Sequence, residues 1–138
     1  MKVVLDTNIL ISALIKAGKP RELLLKIVEE RVQVVLSRGI LEEFIEVVED
    51  PRIRRYVGDD DVIAFLRVIG SVAKIVGVKS KFKVIEEDPN DDIILRTAHD
   101  GKADCLVSGD KHLLSLGEFR GMEIVTADEM LKMLVRKG

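Results

Sequence analysis

The 138-residue chain has one cysteine, no tryptophan and one tyrosine, and each scarcity excludes something. With Cys105 alone, an intrachain disulfide is impossible. The residue lies in an apolar run and is expected to be a buried, reduced thiol, which fits a reducing cytoplasm. Aromatic residues amount to 4%, which leaves the core to valine, isoleucine and leucine. No apolar stretch is long enough for a membrane span, and Met1-Lys2-Val3-Val4-Leu5-Asp6 meets charge too early for a signal peptide; an unexported, cytoplasmic protein is expected. Glutamine occurs only at Gln33 and asparagine only at Asn8 and Asn90, a composition that leans towards adaptation to heat. The formal charge of −2 supplies no global basic field, so contact with nucleic acid would have to come from local Lys/Arg patches or from metal ions. P-loop, dinucleotide-binding glycine and zinc-ligand patterns are missing as well, which argues against nucleotide hydrolysis, dehydrogenase chemistry and structural zinc.

What is present is globular: 47% apolar and 33% charged residues in a length that fits one domain, 1–138. Short valine-rich runs at 3–5, 32–36, 104–107 and 123–125 alternate with longer segments of helical period. That alternation predicts an α/β, three-layer fold with a central, mainly parallel sheet flanked by helices. Helices are predicted from Leu10 to Ile15, over Arg21–Glu30 behind Pro20, and from a Ser37 cap through Glu49 before Pro51. Further helices are predicted from Asp59-Asp60-Asp61 to about Val76, briefly from Asp110 through Leu114, and from the Thr126–Glu129 capping box to about Val135.

Two surface features stand out. Lys79-Ser80-Lys81-Phe82-Lys83 alternates strictly and puts three lysines on one side of an extended stretch; the preferred reading is an edge strand protected by charge, with an RNA contact as the alternative. In the segment 59–76, Val62, Phe65, Leu66, Ile69, Val72, Ala73 and Val76 form one stripe, but Ile63, Val68 and Ile75 fall partly outside it. Together with Leu23–Val28, that surplus of apolar surface predicts self-association, at least a dimer, or cover by a partner peptide.

Four acids lie far apart in the chain, each beside a predicted strand end or helix start: Asp6, Glu43, Asp91 and Asp110. Open α/β sheets bind ligands at the carboxyl ends of their strands, and hard divalent cations prefer carboxylate oxygens. Singly, each acid has another explanation. Asp6 and Asp110 could only cap helices, Glu43 could be an ordinary exposed helix residue, and Asp88-Pro89-Asn90-Asp91-Asp92 is a turn-and-cap composition. In combination they read as a metal-holding cluster facing one crevice, and acids so gathered should raise at least one carboxyl pKa while no metal is bound.

Val3-Val4-Leu5-Asp6-Thr7-Asn8 resembles the opening motif of the PIN-domain family, and Leu36-Ser37-Arg38-Gly39-Ile40-Leu41-Glu42-Glu43 resembles its segment carrying the second acid. Asp88–Asp92 with Leu95 and Ala98 resembles the third, and Ala103–Leu114, containing Ser108-Gly109-Asp110-Lys111-His112, the fourth. The resemblance covers nearly the whole chain in order and is closest to compact, VapC-like toxin-type members. It implies Asp6, Glu43, Asp91 and Asp110 as the metal-binding and catalytic acids, holding Mg²⁺ or Mn²⁺, with Asn8 and Ser108 as polar support. Glu42 and Asp92 compete as ligands; Glu43 and Asp91 are preferred on register. His112 departs from the pattern, since similar proteins often carry another acid there; it could touch phosphate or simply pack, and the departure bears on a second metal. Lys16, Lys19, Arg21, Arg38 and Lys111 are candidates for holding flanking phosphates or are plain surface charge.

The activity implied is metal-dependent endoribonuclease cleavage of RNA, with the cation activating water and offsetting transition-state charge. Toxin-type resemblance further implies a small cognate antitoxin covering the acidic crevice. An RNA-processing or decay nuclease without an antitoxin, and a PIN-like partner-binding domain that has lost catalysis, are the alternatives. A phosphoacceptor receiver domain also places acids at strand ends, but it would need an early acidic pair and a late strand-end lysine, and neither is clear.

Overall fold

The computed structural model of the chain describes residues 1–85 and 88–137. Its strands are β1 (Lys2–Leu5), β2 (Gln33–Leu36), β3 (Ala73–Ile75), β4 (Cys105–Val107), β5 (Glu118–Phe119) and β6 (Met122–Val125). Its helices are α1 (Thr7–Ile15), α2 (Lys19–Glu30), α3 (Arg38–Val48), α4 (Pro51–Arg54), α5 (Asp59–Gly70), α6 (Pro89–Asp100), α7 (Lys111–Leu114) and α8 (Ala127–Lys137). Val3-Val4-Leu5, Val34-Val35-Leu36 and Cys105-Leu106-Val107 are buried without polar alternation, as strands covered on both faces must be. The six strands form one sheet in the order β3-β2-β1-β4-β6-β5, parallel except for β5. Helices flank this central sheet, and α6 packs on β1, β2 and β4. Sequential strands run one way from β1 to β2 and β3, and the other way through β4 and β6. The switch point therefore falls between β1 and β4, where such sheets open a crevice at their carboxyl edge.

Two expectations are corrected here. The helix that starts at Asp59 stops at Gly70 rather than running to Val76, and the chain turns through Ser71-Val72 into β3. Glycine is a poor helix former, Val72, Ile75 and Val76 are β-branched, and the edge of β2 offers a ladder instead. Val34 donates to the Val72 carbonyl and Val76 to the Leu36 carbonyl, each at 2.8 Å. Lys79–Lys83, for its part, is not an edge strand. It is extended and alternates as expected, with the lysines exposed and Ser80 and Phe82 half-buried, yet it pairs with no strand among the described residues. Its backbone is held by α6 instead.

The surplus apolar surface is real. Leu25 is 61% exposed, Ile63 48% and Tyr56 71%. Ala13, Leu14, Leu24, Leu25, Tyr56 and Val68 are among the residues lining a groove of about 380 Å³ where α1, α2 and α5 meet. Among the described residues no helix is long and apolar enough to cross a membrane.

Candidate metal centre

Asp6, Asp88 and Asp110 owe their positions to helix capping, while Asp91 and Glu43 lie within α6 and α3. Asp6 leaves the end of β1 and caps α1, accepting from the Ile9 N–H through Oδ1 at 2.9 Å. Its Oδ2 accepts from the Ser108 hydroxyl at the end of the neighbouring β4. Ser108 Oγ in turn accepts from the Asp110 N–H at 2.9 Å. Asp110 caps the short α7, accepting from the His112 N–H at 2.7 Å. Capping does not take Asp110 out of the acid cluster, because its carboxylate caps α7 and also lies beside Asp88 and Asp91. Asp91 sits in the first turn of α6, behind the Asp88 cap, whose carboxylate accepts from the Asn90 N–H at 3.0 Å.

Asp88, Asp91 and Asp110 each bring a carboxylate oxygen within 4.8 Å of the other two. Asp6 and Glu43 lie outside this tight trio but close enough for their charges to act on it. Burial pushes the Asp91 carboxyl up to about 7, helped by the charges of Asp110, Asp88 and Asp6 and opposed by His112. Asp6 is raised by burial first, against the hydrogen bonds from Ser108 and Ile9, with Asp110 adding to the rise. Glu43, half-buried on α3, is also raised by burial. The nearby Thr7 hydroxyl offsets part of that shift without reaching hydrogen-bond geometry, and Asp88 and Asp6 add to it.

The adjacent acids differ in their surroundings. Asp92 Oδ1 accepts from the N–H groups of Val84 and Ile85 at 2.8 and 2.9 Å, so Asp92 is occupied by backbone while Asp91 joins the cluster. Glu42 pairs with Arg38 at 2.7 Å on the exposed side of α3, whereas Glu43 feels Asp6 and Asp88. Asn8 is exposed, and its N–H helps to stabilise the Asp6 charge. Lys111 is exposed at the start of α7, and His112 beside it is half-buried. Of the other basic candidates, Arg21 donates to the carbonyls of Ala13 and Leu14 at 2.9 Å and is structural, and Lys19 pairs with Glu22 and Asp128.

Asp88 is the residue that sequence reasoning missed, having read it only as part of a turn. The available signal was its spacing: Asp88 and Asp91 bracket one turn opened by Pro89, which turns both side chains to one side.

The donor set fits a hard divalent cation. Asp91 Oδ2 and Glu43 Oε2 are buried without a hydrogen-bond partner among the described residues, which is costly for a carboxylate unless a cation meets it. Fold and site together describe an α/β protein with a carboxylate cluster, compatible with metal binding, at the carboxyl edge of its sheet. A family model described as PIN domain matches residues 2–112, and the chain belongs to the PIN-domain family, a family of nucleases. It is 36% identical over 118 residues to the uncharacterized protein MJ1680 of Methanocaldococcus jannaschii, covering 84% of this chain and 75% of that protein. A solved structure, VapBC2 from Rickettsia felis bound to a DNA fragment from their promoter, superposes with a TM-score of 0.62 at 17% identity, covering 91% of this chain and 98% of that one. That likeness shows the shared fold.

Proposed function

We propose that this protein is a Mg²⁺- or Mn²⁺-dependent endoribonuclease that hydrolyses RNA phosphodiesters, with Asp6, Glu43, Asp91 and Asp110 as its principal acids and Asp88 beside them. The observation that carries the reading is Asp91: buried, with one oxygen unpartnered, between two further carboxylates. A divalent cation bound there would supply water activation and charge neutralisation at the phosphodiester. The chain's own residues do the positioning. Ser108 orients Asp6, the capping N–H groups orient Asp88 and Asp110, and Asp92 ties the backbone of Val84 and Ile85 to the first turn of α6, which carries Asp91. Asn8 stands beside Asp6 as polar support, and Lys111 and His112 stand where flanking phosphates would pass.

The toxin component of a toxin–antitoxin pair is the cellular role that the toxin-type motifs favour, with a small cytoplasmic antitoxin covering the acidic crevice. A second copy of the chain on the α1–α2–α5 groove would make a homodimer. The test is incubation of structured and single-stranded RNA with the protein in Mn²⁺, Mg²⁺ or EDTA, alongside Asp6→Asn. Cleavage lost in EDTA and in the variant supports the reading; cleavage that survives both belongs to a contaminant or another site.

A further inference from the structure

The lysine-bearing segment 79–85 is a strap fixed along α6, antiparallel to it. Asp92, Arg96 and Asp100 are spaced four apart and so share one face of the helix. Asp100 accepts from the N–H groups of Lys79 and Ser80 at 2.7 and 2.9 Å. Arg96 donates to the Phe82 carbonyl at 2.8 Å, and Asp92 takes the Val84 and Ile85 N–H groups. The lengths match: eight residues of helix rise about 12 Å, and the four residues from Ser80 to Val84 reach about 13 Å when extended. Phe82 pins the middle, with Phe119 at 5.2 Å and the Arg120 guanidinium at 4.6 Å over its ring.

With Ser80 and Phe82 turned inward, Lys79, Lys81 and Lys83 all face solvent, and none is in an ion pair with another described residue. Protection of a sheet edge does not account for them, because the strap forms no ladder with any described strand. Alternate residues of an extended chain stand about 6.6 Å apart, comparable to successive phosphates of one extended strand. The row ends at the first turn of α6, where Asp92 holds the strap and its neighbour Asp91 faces the acid cluster.

We propose that Lys79, Lys81 and Lys83 bind the phosphate backbone of single-stranded RNA and lead it to the acid cluster; this rests on the ribonuclease reading above for what happens at the end of the row. The hydrogen-bonded backbone beneath the lysines lowers the ordering cost of binding. A single row of cations follows one strand, whereas a duplex presents two.

The test is fluorescence anisotropy of a short labelled single-stranded RNA in EDTA, titrated at several salt concentrations. It compares wild type with the combined Lys79→Gln, Lys81→Gln, Lys83→Gln protein. A control carries Lys26→Gln, Lys132→Gln and Arg136→Gln on the α2–α8 side, removing equal charge. Each phosphate contact to a single strand contributes roughly 0.7 to the salt slope, so loss of three should lower it by about 2. The strap variant should lose that slope and the control keep it, with both melting as wild type does. An unchanged slope in the strap variant, an equal loss in the control, or no RNA binding by wild type would overturn the proposal. Equal strap-dependent binding of duplex DNA would overturn the single-strand assignment. The two readings fail separately. RNA cleavage by wild type with an intact slope in the strap variant sinks the strap alone; strap-dependent binding with no cleavage in any metal sinks the nuclease reading and leaves the strap.

Discussion

Ser108 donates its hydroxyl to Asp6 across the boundary between β4 and β1, joining the two strand ends that flank the switch point of the sheet. Both residues are buried, Ser108 at 0% and Asp6 at 2% exposure, so water cannot replace the bond. Ser108→Ala should therefore cost about 1–3 kcal/mol of stability, the usual penalty for stranding a buried polar partner. It should also raise the Asp6 pKa further and move the acid limb of the activity–pH profile upwards. Thermal melting and a pH–rate profile check this; a variant as stable and active as wild type would show that the bond has no role.

Asp91 gives a pH dependence with a definite sign. Its folded pKa of about 7 lies above the model-peptide value of 3.8, so the folded state holds a proton that the unfolded chain releases. The Asp91 contribution to stability is therefore fully present below about pH 4, declines as pH rises, and is lost above about pH 7. Metal-free wild type should thus lose stability relative to Asp91→Asn between pH 4 and 7. Denaturant melts of both proteins in EDTA across that range measure the difference. A gap that stays constant with pH would contradict the raised pKa.

Gly39 lies where α3 crosses α6, and a Cβ there would sit 2.9 Å from Ile93 Cγ2. Gly39→Ala should force the two helices apart and cost about 1–3 kcal/mol, as overpacking usually does. Because α3 carries Glu43 and α6 carries Asp91, activity should fall by more than the loss of folded protein explains. Turnover per folded molecule against melting temperature separates the two effects. Full specific activity would mean that the helix spacing does not set the site.

The exposed Leu25, Tyr56 and Val68 around the α1–α2–α5 groove should be covered in solution. Light scattering should give at least twice the mass of one chain, and Tyr56→Asp combined with Leu25→Asp should shift it towards one. A clean monomer at high concentration would contradict self-association through this face.

Much of this architecture can be read from the chain because its signals are local and uninterrupted. The apolar runs that became β1, β2, β4 and β6 are short, and the caps Asp6, Ser37, Asp110 and Thr126 mark where helices begin. The end of α5 could not be read, because the apolar stripe continues past Gly70 into β3. Only the edge of β2, distant in sequence, decides that those residues pair as a strand. Asp88 was hidden by its own chemistry, since a capping aspartate before proline explains itself without a site. The strap was half legible: its alternation is in the sequence, but its partners Asp92, Arg96 and Asp100 lie on a later helix.

Acids brought together from four segments are proposed to hold a divalent cation. Such acids repel one another while no metal is bound, so removing a charge should help the empty fold and harm the loaded one. Asp6→Asn keeps a capping oxygen for α1 but puts an amide NH2 where Oδ2 accepts from Ser108, whereas Asp110→Asn leaves the Ser108–Asp6 bond intact and changes mainly charge. The most direct measurement is the melting temperature of wild type, Asp6→Asn and Asp110→Asn, each in EDTA and in Mn²⁺. Wild type should be stabilised by Mn²⁺ through mass action on the native state. Asp110→Asn should melt higher than wild type in EDTA, Asp6→Asn should gain less because Ser108 loses its acceptor, and both should lose most of the Mn²⁺ shift. A Mn²⁺ shift in both variants as large as that of wild type would remove these acids from the metal site.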